Sequence, residues 1–265
     1  MVRKETGSIP VGACESSEGS GGTALAFFAG KGILEAMKTR LGFWGVAVGM
    51  AGLAAATAAW AAEAGEWKTL FDGKTLEGWR SLASAEPGAG WKVREGAIEL
   101  EGKAGDLVSA EAFGDFELSF EWKVSEAANS GVIYRVGLGE KNTFLTGPEY
   151  QVLDNEKASD NKPPSHTAAG LYDLVAPPRD FTRPVGEWNE GRIRVHGWHV
   201  EHWLNGEKTV DVDLASPEGK ALIERSKFKG WEKFATLARG HIALQDHGHP
   251  VWFRAIRVRE LKQPE

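Results

Sequence analysis

From residue 66 onward the chain alternates apolar and polar positions in short runs, broken by glycine, asparagine and proline. The clearest run is 116–124. Phe116, Leu118, Phe120, Trp122 and Val124 fall on one face, and Glu117, Ser119, Glu121 and Lys123 fall on the other. A period of two marks a half-buried strand. Runs at 91–94 and 97–101 read as a hairpin across Glu95 and Gly96, and 200–204 pairs with 207–212 across Asn205-Gly206, a turn in which both residues tolerate positive φ. Further strands are expected at 131–136, 150–153, 170–174, 192–195, 241–245 and 252–260. One helix is expected, where Ser216, Pro217 and Glu218 offer a cap, a first-turn proline and an early acid ahead of Ala221, Leu222 and Ile223. The stretches 137–148 and 156–167 read as long loops. About a dozen strands and one short helix predict an all-β sandwich of two curved antiparallel sheets.

The first sixty residues read differently. A basic run from Met37 to Arg40 precedes an uncharged stretch, 41–62, rich in alanine and glycine, and Ala59-Trp60-Ala61 fits the small-x-small cleavage rule. Residues 37–61 are therefore expected to be a signal peptide, with export to the periplasm or outside the cell. The Gly/Ser-rich segment 1–36 shows no sustained periodicity and reads as an upstream extension of a chain that starts at Met37. A stretch of about 20 apolar residues can also span a bilayer, but the cleavage site and the small residues favour removal, leaving no stable membrane insertion. Residues 62–265 then form one domain.

Composition narrows the function. With 265 residues, 42% hydrophobic and 26% charged, the chain is globular. A net charge of -6 argues against a sequence-independent nucleic-acid binder, which needs a basic surface. The single cysteine, Cys14, precludes an internal disulfide. Eleven tryptophans supply core anchors or flat surfaces for stacking on sugars.

Three segments carry candidate chemistry. In 147–154, Tyr150 and Val152 share one strand face and Glu149 and Gln151 the other. With the first pair in the core, Glu149 and Gln151 point into a cleft or solvent. Asp154 falls on the Tyr150 face unless a bulge or the strand end re-aims it. Two carboxylates a few residues apart suit acid/base work, although a solvated strand face gives the same pattern. In 129–135, Asn129 opens a strand that ends at Arg135, whose fork can hold a carboxylate or a sugar oxygen. In 240–248, Ile242 and Leu244 face the core, which leaves His241, Gln245 and His247 opposite them and Asp246 at the exit. A histidine at this position, His247, is the residue type suited to proton transfer near neutral pH. Arg254 alternates with Ile256 and Val258 if no bulge intervenes, and Glu149, Asp154 or Asp246 is its expected partner. His166 and Tyr172 flank a further strand and can approach from a loop, whereas His199 and His202 lie on opposite strand faces and make poor joint metal ligands. No zinc, EF-hand, P-loop, dinucleotide or serine-elbow motif is present.

Taken in order, these motifs resemble the 3-keto-disaccharide hydrolase family. The landmarks are Leu70 to Trp79, Trp91 to Gly96, Asn129 to Gly131, Gly147 to Asp154, Gly170 to Tyr172, Trp188-Asn189, His202 to Gly206, Gly240 to Gly248 and Val251 to Arg254, which together cover residues 66–261. The resemblance implies a concanavalin-like jelly roll whose concave face binds sugar, action on glycosides oxidised at C3, and export in bacteria. A C3 ketone acidifies the C2 hydrogen. A base removes it, the enolate expels the C1 substituent, and water adds back. This route needs a base, a donor to the enolate oxygen and an acid for the leaving group. Glu149, Asp154 and His247 are the candidates for proton transfer. Arg135, Arg254 and Gln245 are candidate donors, and Asn129, Gln151, His166, Tyr172 and Asp246 belong to the sugar-binding set. No cofactor is expected and no dedicated metal ligands are evident, though a divalent ion suits enolate stabilisation. Two alternatives stand beside this. One is a non-catalytic lectin-like module on the same fold. The other is a conventional glucanase with paired carboxylates, weakened by Gln151 at the central position.

Overall fold

The computed structural model describes residues 65–262. The expected upstream extension and signal peptide lie outside the described residues. Two antiparallel sheets face each other across one core. The larger has eight strands. Along its path run β11 (Glu207–Asp213), β10 (His199–Leu204), β9 (Asn189–His196), β6 (Phe116–Val124), β13 (Val251–Glu260), β4 (Ala97–Leu100) and β3 (Trp91–Arg94), with β1 (Lys68–Thr69) also paired to β13. The smaller sheet has the order β2 (Trp79–Ser81), β5 (Leu107–Phe113), β12 (Gly240–Leu244), β7 (Asn129–Val136) and β8 (Glu149–Leu153). This is the expected jelly-roll sandwich. The one α-helix among the described residues, α1 (Pro217–Arg225), is capped as its sequence predicts, with Ser216 Oγ accepting from Gly219 N at 3.0 Å. Among the described residues no helix is long and apolar enough to cross a membrane.

The core is built by alternation. From β6, Phe116, Leu118, Phe120 and Trp122 turn inward, and from the opposite sheet Val132, Tyr134, Tyr150, Val152, Ile242 and Leu244 meet them. Phe120 packs edge-on against Tyr150, with ring centroids 5.2 Å apart. The tyrosine hydroxyls carried into this layer are paired, while the Trp122 indole nitrogen is buried without a partner. The Tyr150 hydroxyl donates to the Trp203 carbonyl at 3.1 Å, and the Tyr134 hydroxyl lies 3.0 Å from His202 Nε2. Burial lowers the His202 pKa to about 3, so the ring is neutral.

Three expectations change. Residues 170–174 are not a strand; only Leu171 bridges, to Tyr150 and to Val175. The turn they make lies along the free edge of β8, where Ala169 and Tyr172 donate backbone N–H groups to the Gln151 and Glu149 carbonyls, and Gln151 donates to the Gly170 carbonyl. β5 runs through a Ser-Ala-Glu-Ala stretch whose weak alternation hides it in the sequence. Finally, β13 has a bulge between Arg254 and Arg257, with Ala255 at φ 51°. The extra residue sends Arg254 to the outer face while Phe253, Ile256 and Val258 stay in the core.

Candidate active site

Because Tyr150 and Val152 fill the core, β8 must present Glu149 and Gln151 on the outer face of the five-stranded sheet. That face is apolar at one end, where Val108, Ile133, Val136 and Ala243 pack with Leu82 and Phe144. At the other end it carries Asn129, Glu149, Gln151 and Gln245, all buried. The Glu149 carboxylate lies across Gly131 of the neighbouring strand. A Cβ on Gly131 would stand 2.2 Å from Glu149 Oε1, so only glycine leaves room for the acid. Gln245 Nε2 approaches Glu149 Oε2 at 3.4 Å. Gln245 is itself held by its backbone, its N–H donating to the Gly131 carbonyl and its own carbonyl accepting from Ser130 Oγ at 2.8 Å. Gln151 Nε2 reaches Asn129 Oδ1 at 3.4 Å, and Gln151 Oε1 is buried without a partner.

The environment of Glu149 favours its neutral form. Burial raises its pKa from an ordinary 4.5 to about 8; the charge of Lys227 opposes that rise, and Asp106 and Asp160 add to it. Two groups of side chains flank it. On one side, His166 stands between two carboxylates, with Nδ1 2.9 Å from Asp160 Oδ1 and Nε2 2.9 Å from Asp173 Oδ1. The Tyr172 ring stacks on His166 at 4.2 Å and its hydroxyl donates to Asp160 Oδ2 at 2.8 Å, while desolvation and Asp160 push its pKa up. The Lys227 ammonium sits 4.0 Å above the Tyr172 ring. On the other side is a cavity of about 390 Å³, whose lining includes Leu82, Asp106, Lys141, Phe144, Gln245 and His247. Asp106 receives the Asp246 amide at 2.9 Å and the Thr143 hydroxyl, and burial raises its pKa. Asp246 accepts from Ala104 N and Gly105 N, which fixes the cavity wall, and His247 is exposed at the rim.

The structure thus brings together Asn129, Glu149, Gln151, His166, Tyr172, Gln245, Asp246 and His247. Three of the sequence candidates lie elsewhere. Asp154 ends β8 and turns back to accept the backbone N–H groups of Ala127, Glu156 and Lys157 at 2.7–3.2 Å, so its carboxylate holds a turn. Arg135 sits at φ 54°, and this kink removes it from the Ile133 face. Its guanidinium donates to Asp115, Gly114 and Gly197, tying the β5–β6 connection to the β9–β10 turn. Arg254 lies on the outer face of that sheet, bonded to Glu121 at 2.6 Å and stacked 4.0 Å from the Trp188 ring. Neither arginine can reach what Glu149 holds. Conversely, sequence reasoning missed Asp106 and Lys227. Neither belongs to a short motif, and the bond from the Lys227 N–H to Asp173 Oδ2 joins residues 54 apart. One set of potential metal ligands, His199, Glu201 and Asp211, lies on β10 and β11, with ligand atoms within 4.8 Å of one another. Arg194 and Lys208 already pair its carboxylates.

Residues 66–259 match the profile of the 3-keto-alpha-glucoside-1,2-lyase-like domain. The 3-keto-disaccharide hydrolase of Bacteroides thetaiotaomicron is 35% identical over 225 residues, covering 73% of this chain and 78% of that protein. Two crystal structures from Parabacteroides distasonis, each provisionally named a glycosyl hydrolase, superpose with TM-scores of 0.69 and 0.61. They are 29% and 26% identical, and the matches cover 74% of this chain in each case and 94% and 100% of theirs.

Proposed function

The chain belongs to the 3-keto-alpha-glucoside-1,2-lyase-like family, and from that premise we propose that it cleaves glycosides already oxidised at C3, with Glu149 as the base that removes the C2 proton. The family makes it a glycosidase. The choice of an oxidised sugar and the elimination route are our reading. The observation that carries it is the buried Glu149 carboxyl on the sheet floor, its pKa raised to about 8. A base of that strength suits a proton acidified by a neighbouring ketone, and it stays largely neutral until the pH approaches 8. The C2–H electrons move to the enolate, the C1–O bond breaks, and the leaving oxygen takes a proton. His247, at the rim of the adjoining cavity, supplies that proton. Water then adds across the C1–C2 double bond: its oxygen bonds to C1, its proton goes to the deprotonated His247, and Glu149 returns its proton to C2, which completes net hydrolysis. Gln245, which touches Glu149 and lines the cavity, together with Asn129 and Gln151, positions sugar hydroxyls. Tyr172 and His166 form one side wall. Export rests on segment 37–61, and N-terminal sequencing of the protein from cells tests it.

The deciding experiment incubates the protein with a 3-keto-glucoside and with its unoxidised parent and follows aglycone release. Cleavage of the keto form alone is expected. Cleavage of the parent would refute the elimination route, and saturable binding without turnover of either would refute catalysis.

A further inference from the structure

Lys227 follows α1 in sequence and lies far from every motif of the sheet. Its backbone N–H is anchored on Asp173 Oδ2 at 2.6 Å, and the other oxygen of Asp173 faces His166. The side chain crosses the Tyr172 ring and places its ammonium 4.0 Å from the ring centroid. It is exposed, and among the described residues no carboxylate lies within ion-pairing distance of it. Its charge nevertheless acts on Glu149 and on Asp160. Tyr172 in turn donates its backbone N–H to the Glu149 carbonyl at 3.0 Å, so the ammonium is carried by the residue that flanks the acid. A cation held by an aromatic face, near a carboxylate but not bonded to it, is free to take a new anionic partner.

We propose that Lys227 is a catalytic residue whose ammonium donates to the C3 oxygen of the substrate and holds the charge that appears there when Glu149 takes the C2 proton. This rests on the keto-glycoside reading above. The charge balance of the step supports it. Before transfer, the site holds ionised Glu149 and the ammonium. Afterwards Glu149 is neutral, the enolate oxygen is negative, and the same ammonium faces it. The cation changes partner and no net charge is created in the buried site, which is the condition under which such a donor lowers a barrier most. It also discriminates. An unoxidised C3 hydroxyl cannot accept the displaced electrons, so the cation gains nothing in the transition state.

The test uses the full protein with a p-nitrophenyl 3-keto-glucoside, comparing wild type, Lys227→Met and Lys227→Arg. Methionine keeps an apolar stem on Tyr172 and removes the charge, and arginine restores it. For the Met variant, kcat is expected to fall about 100-fold or more with KM within about threefold, the scale for losing one oxyanion donor. The arginine variant should recover at least tenfold of that loss. The acid limb of kcat/KM should move to higher pH in the Met variant, since the cation that favours ionised Glu149 is gone. A kcat within threefold of wild type would overturn the proposal. So would equal losses in both variants, or a loss confined to KM. A wild-type protein that ignores the keto-glucoside would instead overturn the reading of the reaction, independently of Lys227.

Discussion

Glu149→Gln separates the cost of the buried acid from its use. In the fold the carboxyl titrates at about 8, against 4.5 for an ordinary glutamate. Folding therefore favours the protonated form. The stability this group contributes is complete below about pH 4.5 and is lost as the pH rises through 8, because the unfolded chain ionises first. Each pH unit between the two values removes about 1.4 kcal/mol, so the full span of roughly 3.5 units removes about 5 kcal/mol at most. Glutamine is neutral throughout and keeps the shape over Gly131. The variant should match wild type near pH 4.5 and gain on it steadily, ending about 5 kcal/mol ahead by pH 9. Urea unfolding of both proteins at pH 5, 7 and 9 measures the difference. The same substitution should lower kcat by roughly 10²–10⁴, the range for removing a positioned base. Parallel stability curves across that pH range would show that Glu149 is ionised in the fold at ordinary pH, and the argument for its burial would fail.

Gly131→Ala should push the Glu149 carboxylate off its floor, because the new Cβ has no room beside Oε1. We expect kcat to fall more than tenfold with a stability loss of about 1–3 kcal/mol, read by turnover and thermal melts. Asp154→Ala should cost at least about 2 kcal/mol by stranding three backbone donors. It should leave kcat of the surviving fold within a few-fold, and a loss of kcat without a loss of stability would return Asp154 to the catalytic set. Arg254→Ala removes a group on the far sheet. Its kcat/KM should stay within twofold of wild type, and a larger drop would mean that substrate reaches the eight-stranded face.

What the sequence disclosed, and what it hid, follows from the range of the interactions involved. Alternation is local, so β6 and the inward turn of Tyr150 and Val152 are legible, and with them the outward turn of Glu149 and Gln151. The cap of α1 is local too. Arg135 and Arg254 were misplaced for one shared reason. Each sits at or beside a residue with positive φ, and a single kink there reverses the face on which simple alternation places a side chain. The spacing of Asp154 from Glu149 suggests a paired acid, but the strand ends one residue before it, and a free carboxylate at a strand end finds backbone donors first. Lys227 and Asp106 reach the site through pairings more than fifty residues apart in the chain, which periodicity does not register.

The turn at 169–172 makes three backbone hydrogen bonds along the outer edge of β8, to Glu149 and Gln151. Edge strands left open recruit strands from other chains. The segment that carries Tyr172, which we propose as a side wall of the sugar site, therefore also covers this edge of the sheet. A lineage that lengthened or redrew this loop to admit a new sugar would uncover β8 at the same moment and risk aggregation. Variation in substrate choice should accumulate instead on the other flank, in the 137–148 loop around Phe144, where the chain can change without unzipping an edge.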